Sequence, residues 1–166
     1  GRYATDCSDA SGTNLYDLAA HSWSDEILNA LELGRDLLPD PLPSASIIGE
    51  VTPTAAAATG LAAGTPVVIG GGDGGCATVG AGVVRPGDAY LYIGSSSWIA
   101  CITAQPLHDP QQRTFTFAHL DPRFFFTTGT MQSAGGSFDW FERLLRGSQE
   151  TRLYRDLDRL AETVEP

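Results

Sequence analysis

Thr65-Pro66-Val67-Val68-Ile69-Gly70-Gly71-Gly72-Asp73-Gly74-Gly75 is the stretch on which the fold turns. Val67-Val68-Ile69 is short and wholly apolar, the pattern of a strand covered on both faces. The glycines that follow let the backbone take positive φ and let other groups approach closely, with one carboxylate, Asp73, among them. After Pro86-Gly87-Asp88 a second apolar run, Ala89 to Ile93, leads into Gly94-Ser95-Ser96-Ser97 and out through Trp98 to Ile102. Two strands therefore each deliver a loop, one bearing a carboxylate and the other hydroxyls. The expectation is that the two loops face one another across a cleft suited to phosphate transfer.

Upstream, Thr5 to Thr13 is dense in small polar side chains that bond their own backbone, and reads as a loop or strand end. Ser24 is a good N-cap with Asp25 and Glu26 in the first turn. Ile27, Leu28 and Leu31 share a helical face, and Gly34 is the expected stop. Leu37 to Ile48, with three prolines, reads as extended. Thr52-Pro53 opens a short Ala-rich helix that ends at Gly60. Nothing before Asp88 reads as a sheet neighbour for Val67–Ile69. Residues 1 to about 84 therefore look like the tail of a larger domain whose other strands lie elsewhere.

Beyond Gly87 four strands are expected in series, Ala89–Ile93, Trp98–Thr103, Thr114–Leu120 and Phe124–Thr128, as an antiparallel meander. Ser137 is then expected to cap a helix with Phe138, Phe141 and Leu145 inward. Gly147 separates it from a last helix striped by Leu153, Tyr154, Leu157, Leu160 and Ala161. A second domain beginning at residue 88, with its boundary at Arg85-Pro86-Gly87, follows from this change of pattern.

The 166 residues carry a formal charge of −10 at pH 7. Every basic residue is Arg, which removes a P-loop lysine, a lysine base and a Schiff base from consideration within this stretch. An acidic surface repels a phosphate backbone, so nucleic acid is not an expected partner. No run of about 18 apolar residues appears, so no membrane-spanning helix is expected. The opening residues show neither an initiator Met nor a signal-peptide core, and the chain reads as starting in the middle of something. Cys7, Cys76 and Cys101 are widely spaced, and read as reduced, mostly buried thiols of a cytoplasmic protein.

Gly70, Gly72 and Gly75 match the G-x-G-x-x-G spacing of dinucleotide-binding loops. Asp73 weighs against it, because a carboxylate among those amides would repel a pyrophosphate. At the C-terminal end of a strand the same carboxylate suits a proton or a Mg²⁺-bound water, or simply caps the next helix. The three hydroxyls and turn amides of Gly94–Ser97 suit phosphate oxygens, or form an ordinary serine turn. His21, His108 and His119 share no metal spacing, and Phe124–Phe126 reads as core.

Thr65 through Asp73, Gly80-Ala81-Gly82-Val83-Val84, Pro86-Gly87-Asp88 and Ile93-Gly94-Ser95-Ser96 together resemble the FGGY carbohydrate kinases, above all xylulokinase-like members. Thr5 through Ser11, Trp23, Leu37-Leu38-Pro39, Ile48 through Val51, and Gly135-Gly136 with Trp140 match in order. The resemblance implies an α/β fold of the actin-like/ribonuclease H-like two-domain kinase type. Residues 1–84 would be the end of the sugar-binding domain and 88–166 the start of the nucleotide-binding domain. It implies ATP-dependent phosphorylation of a sugar or polyol hydroxyl, a ketopentose such as xylulose first among them, with ATP and Mg²⁺. Asp73 would be the general base, touching the sugar with Gly74 and meeting Mg²⁺ through water. Gly94, Ser95, Ser96 and Gly136 would hold ATP phosphates. The resemblance leaves a homodimer open. Gly74 stands where the family usually carries Gln or Asn, and Ser95 where Thr is usual. The family's N-terminal phosphate loop, most of its sugar pocket and its adenosine-binding glycines are not in this chain, so the segment alone is expected to be inactive. The alternative is a non-catalytic sugar- or nucleotide-binding module.

Overall fold

The computed structural model describes residues 2–147 and 153–164. The chain divides into two compact units, one of Gly1–Tyr90 with Ala100–Gly129, the other of Leu91–Ile99 with Thr130–Pro166.

The first unit opens with β1 (Ala4–Asp6) and α1 (Cys7–Ser11), so the polar run expected to be a loop is a strand end followed by a helical turn. The reason is local: the Asp6 carboxylate accepts the backbone N–H of Ser8 at 2.7 Å and of Asp9 at 3.2 Å. Those are donors a helix start otherwise leaves unpaired. A small ribbon of β2 (Tyr16–Asp17) and β3 (Ser22–Trp23) leads to α2 (Asp25–Ala30), capped by Ser24, whose Oγ accepts from Ile27 N. This helix stops before Gly34, because Glu32 already turns left-handed at φ +53°. Only Leu28 of its expected apolar face is buried.

After a 3₁₀ turn at Arg35–Leu37 the chain forms β4 (Asp40–Leu42), which pairs in parallel with β1. Next come β5 (Ile47–Glu50), α3 (Pro53–Thr59) and β6 (Pro66–Val68). Thr52 Oγ1 accepts from Ala55 N, and Gly60 closes α3 at φ +79°, as the Thr-Pro and Gly signals predict. The expectation that β6 has no neighbour in this chain is corrected. β6 pairs antiparallel with β5, through an irregularity between Ile47 and Gly49 that a strict two-residue period hides. Nor is β6 covered on both faces, since Val67 and Val68 are both exposed.

Then come α4 (Asp73–Gly80), β7 (Ala89–Ile93), β8 (Ser97–Thr103), β9 (Phe115–Ala118) and β10 (Phe125–Met131). The four strands exist as expected, but the sheet order is β7-β8-β10-β9 rather than a serial meander. The last strand inserts beside β8, and β9 is left at the edge. Antiparallel pairing of β10 with β9 places Phe126 opposite Phe117, and their rings stack 5.1 Å apart. Phe125 and Phe126 are buried, as the triple-phenylalanine run implies.

The core of the first unit gathers Cys7, Ala10, Tyr16, Trp23, Leu28 and Ala118. Tyr16 meets Trp23 edge-on at 6.1 Å, and Trp23 Nε1 donates to Pro39 O at 2.8 Å, so the indole's one polar atom is satisfied inside. Burial pushes the Cys7 thiol and the Tyr16 phenol upward, keeping both neutral. Among the cysteines, Cys7 is buried but Cys76 is exposed, against the expectation of mostly buried thiols. Cys76 lies on the open side of α4.

The second unit holds the β7–β8 hairpin tip, the end of β10, α5 (Gly135–Arg146) and α6 (Tyr154–Ala161). Helix α5 begins at Gly135, ahead of the expected Ser137 cap, because backbone carbonyls rather than a side chain receive its first N–H groups. Phe138, Phe141 and Leu145 are exposed, where an inward face was expected. The fully buried residue of α5 is Glu142, paired with Arg146 one turn later at 3.2 Å and accepting Leu153 N at 3.0 Å.

Candidate functional site

The carboxylate loop is held from both sides. Gly70 sits at φ +81°, a conformation that favours glycine. Its N–H donates to Ser44 O at 3.0 Å. A Cβ on Gly71 would strike Leu120 Cδ2, and one on Gly72 would reach Asp9 Oδ1 at 3.4 Å. A Cβ on Gly75 would meet Leu120 at 3.1 Å and Ser8 Oγ at 3.2 Å. Gly71 and Gly75 are thus in close packing with Leu120 and Ser8, while Gly72 stands at ordinary contact from Asp9. Gly72 N donates to Ser8 Oγ at 3.0 Å, across 64 residues of sequence. The Ser8 hydroxyl in turn donates to Asp6 Oδ2, and Ser44 Oγ reaches the same oxygen at 3.3 Å.

Asp73 is the first residue of α4 and is exposed. An acidic side chain suits the unpaired N–H groups of a helix start. It does not cap the helix: Gly72 holds the N-cap position without a side-chain bond, and Asp73 Oδ1 instead accepts Gly74 N at 2.7 Å. A Cβ on Gly74 would meet nothing within 4 Å, so open space lies beside Asp73. A concavity of about 260 Å³ adjoins the loop, lined by Thr5, Asp6, Asp9, Ile69, Gly71 and Gly72. Sequence reasoning did not assign Asp6, Ser8 or Asp9 to the site. Their signal was the polar run from Thr5, but nothing local says that it lies against a loop more than 60 residues away.

The serine turn belongs to the second unit and joins β7 to β8 as expected. Gly94 N donates to Ser96 O at 2.8 Å, closing a tight reversal. The carbonyl of Gly94 accepts Gly135 N at 2.9 Å, and that of Ser95 accepts Ala134 N at 2.8 Å and Gly136 N at 3.0 Å. The start of α5 is thereby seated on the turn's carbonyls. Tyr92 and Trp98 stack at 3.8 Å where the strands enter and leave. The Gly136 N–H is thus engaged with the turn. Ser95 is exposed, and its hydroxyl has no hydrogen-bond partner among the described residues.

His119 lies 3 % exposed at the end of β9, its Nδ1 accepting Asp121 N at 3.0 Å. Burial lowers its pKa, with Asp121 opposing that shift. Asp121 itself is held down to about 2 by the Arg123 guanidinium. His21 stacks on Phe125 at 5.8 Å. Among the described residues no three His, Cys, Asp or Glu groups converge as a metal cluster, and no helix is long and apolar enough to cross a membrane.

Residues 1–80 match the FGGY family of carbohydrate kinases, N-terminal domain. Residues 1–80 are therefore an FGGY N-terminal domain stretch, which agrees with the resemblance read from the motifs. It is 34 % identical to the xylulose kinase of Escherichia coli K12 over its whole length, and covers 34 % of that protein. It is 33 % identical to the autoinducer-2 kinase of the same strain, again over the whole chain and 33 % of the relative. The crystal structure of xylulose kinase from Rhodospirillum rubrum superposes with a TM-score of 0.88 at 30 % identity, over 98 % of this chain and 33 % of that one. The chain thus spans about a third of the length of the relatives it matches, and its α/β fold is that of the actin-like/ribonuclease H-like sugar kinases.

Proposed function

We propose that this chain is the central part of an ATP-dependent sugar kinase that phosphorylates a ketopentose such as xylulose, with residues 1–84 and 88–166 contributed to its two domains. The observation that carries the proposal is an exposed carboxylate, Asp73, fixed at the start of a helix by a glycine turn bonded to Ser8. In phosphoryl transfer the protein mainly positions groups and stabilises charge. Asp73 takes the proton from the attacking sugar hydroxyl, and its neighbour Gly74 leaves room for the sugar. Gly94, Ser95, Ser96 and Gly136 line the ATP phosphates, with the serine hydroxyls free to bind them while the Gly94 and Gly136 amides are engaged within the turn. A single carboxylate suits Mg²⁺, which commonly keeps its waters and binds substrate phosphates, so Asp73 would meet it through water. The ion would neutralise charge on the phosphates. Activity belongs to the complete protein, and the segment alone does not turn over.

In the complete kinase, Asp73→Asn should lower kcat by about 10²–10⁴-fold, the usual worth of a general base, while the fold survives. ADP release at the native rate with xylulose would refute the assignment. The open space at Gly74 favours one second reading, a binding module without chemistry. Calorimetry with ATP-Mg²⁺ and a panel of sugars would reveal it as binding without ADP production.

A further inference from the structure

The loop that carries Asp73 has one long-range polar tie whose donor chain is complete. Gly72 N–H donates to Ser8 Oγ at 3.0 Å, and the Ser8 hydroxyl donates to Asp6. Asp6 is 6 % exposed, and its carboxylate also receives Ser8 N, Asp9 N and Ser44 Oγ, so it cannot swing without breaking four bonds. Each bond in such a chain polarises the next. Ser8 is therefore a clamp with one end fixed in α1 and the other on the residue immediately before Asp73. The would-be Cβ of Gly75 meets Ser8 Oγ at 3.2 Å and Ser8 Cβ at 3.4 Å, so the same side chain also sets how close the first turn of α4 can come.

We propose that Ser8 is a positioning residue for the phosphoryl-transfer reaction, orienting the Asp73 carboxylate through its bond to the Gly72 amide, with Asp6 as its buried anchor. This rests on the reading of Asp73 as the general base. Ser8 reaches the reaction only through the turn. Replacing it removes no contact to sugar or nucleotide; it lets the carboxylate drift, and a misplacement on the order of 1 Å costs up to about a hundredfold in rate.

The test is a double-substitution cycle in the complete kinase. Ser8→Ala should lower kcat about 10- to 100-fold with little change in the KM for sugar. In an Asp73→Asn background, where residual turnover is followed by radiolabelled phosphate transfer, it should cost almost nothing further, because groups acting as a unit are not additive. A merely structural role would lower stability and multiply with Asp73→Asn. An additive cycle, or a native kcat for Ser8→Ala, overturns the proposal. A fully active Asp73→Asn enzyme instead sinks the base assignment beneath it, which separates the two failures. A further readout needs no variant to fold. In the unsubstituted enzyme the amide of Gly72 should resist hydrogen–deuterium exchange, and exchange at the rate of an open loop would show that Ser8 holds nothing.

Discussion

Gly135→Ala is the sharpest test of the serine turn. The Cβ would lie below 3.0 Å from the Gly94 carbonyl oxygen and 3.2 Å from its carbonyl carbon, whereas ordinary contact begins at 3.4 Å. The obstacle is backbone, not the end of a flexible side chain, so either α5 or the turn must retreat. That movement breaks the Gly135–Gly94 bond of 2.9 Å and strains the Gly136–Ser95 bond of 3.0 Å. Overpacking of this kind costs about 1–3 kcal/mol, and a lost hydrogen bond about 1 kcal/mol more. If the turn binds ATP phosphates, its displacement should raise the KM for ATP and lower kcat by about 10- to 100-fold. The KM for sugar should change little. The assay is coupled ADP release in the complete kinase, with thermal unfolding alongside. Gly80→Ala is the control: its Cβ meets nothing within 4 Å, and Gly80 is helical. It should leave kinetics alone and add about 0.5–1 kcal/mol of stability. A Gly135→Ala enzyme with native KM for ATP and native kcat would refute the idea that α5 seats the turn.

Two further outcomes are expected. Gly74→Asn should fold normally, since open space surrounds the Cβ, and should change the KM for sugar by severalfold. An unchanged preference across a sugar panel would remove Gly74 from the substrate site. Burial keeps His119 neutral by depressing its pKa, so the unfolded chain binds its proton first as pH falls below about 6.5. Stability present at neutral pH should therefore decline as pH drops from there toward the depressed folded value. His119→Asn, which keeps an acceptor for the Asp121 amide, should flatten that part of a denaturation series between pH 7 and 5.

Helix ends marked by a side-chain cap or a Thr-Pro and Gly pair were legible, whereas the Gly34 stop and the Ser137 cap were not where α2 ends and α5 begins. Ser24, Thr52-Pro53 and Gly60 act within four residues of themselves, and each sits where its chemistry requires. Long-range pairing was not legible. The β1–β4 partnership, the β5–β6 bulge and the insertion of β10 beside β8 are decided by which surfaces meet, and a single strand's pattern is the same whichever neighbour it finds. For the site, the loop bearing Asp73 was legible because glycine runs are rare and specific. Asp6 and Ser8 were not, because serine and aspartate bonding their own backbone look the same in any loop.

The Asp73 loop of the first unit and the serine turn of the second are each built on glycines at a helix start. Gly72 and Gly75 let the start of α4 lie against Ser8 and Asp9, while Gly135 and Gly136 let the start of α5 lie against the carbonyls of Gly94 and Ser95. A methyl on Gly135 would strike the Gly94 carbonyl and push α5 off the turn, whereas one on Gly75 or Gly136 would ask its neighbours to give by a few tenths of an ångström and one on Gly72 would make ordinary contact. The rigid partner differs: a buried serine and carboxylate for α4, a hairpin backbone for α5. A helix start needs outside acceptors for its first amides. Here those acceptors are Ser8 Oγ ahead of α4 and the Gly94 and Ser95 carbonyls ahead of α5, so each helix start is tied to the loop beside it. The G-x-G-x-x-G spacing has local reasons in this chain: Gly70 takes a left-handed φ of +81°, and Gly75 packs closely on Leu120 and Ser8.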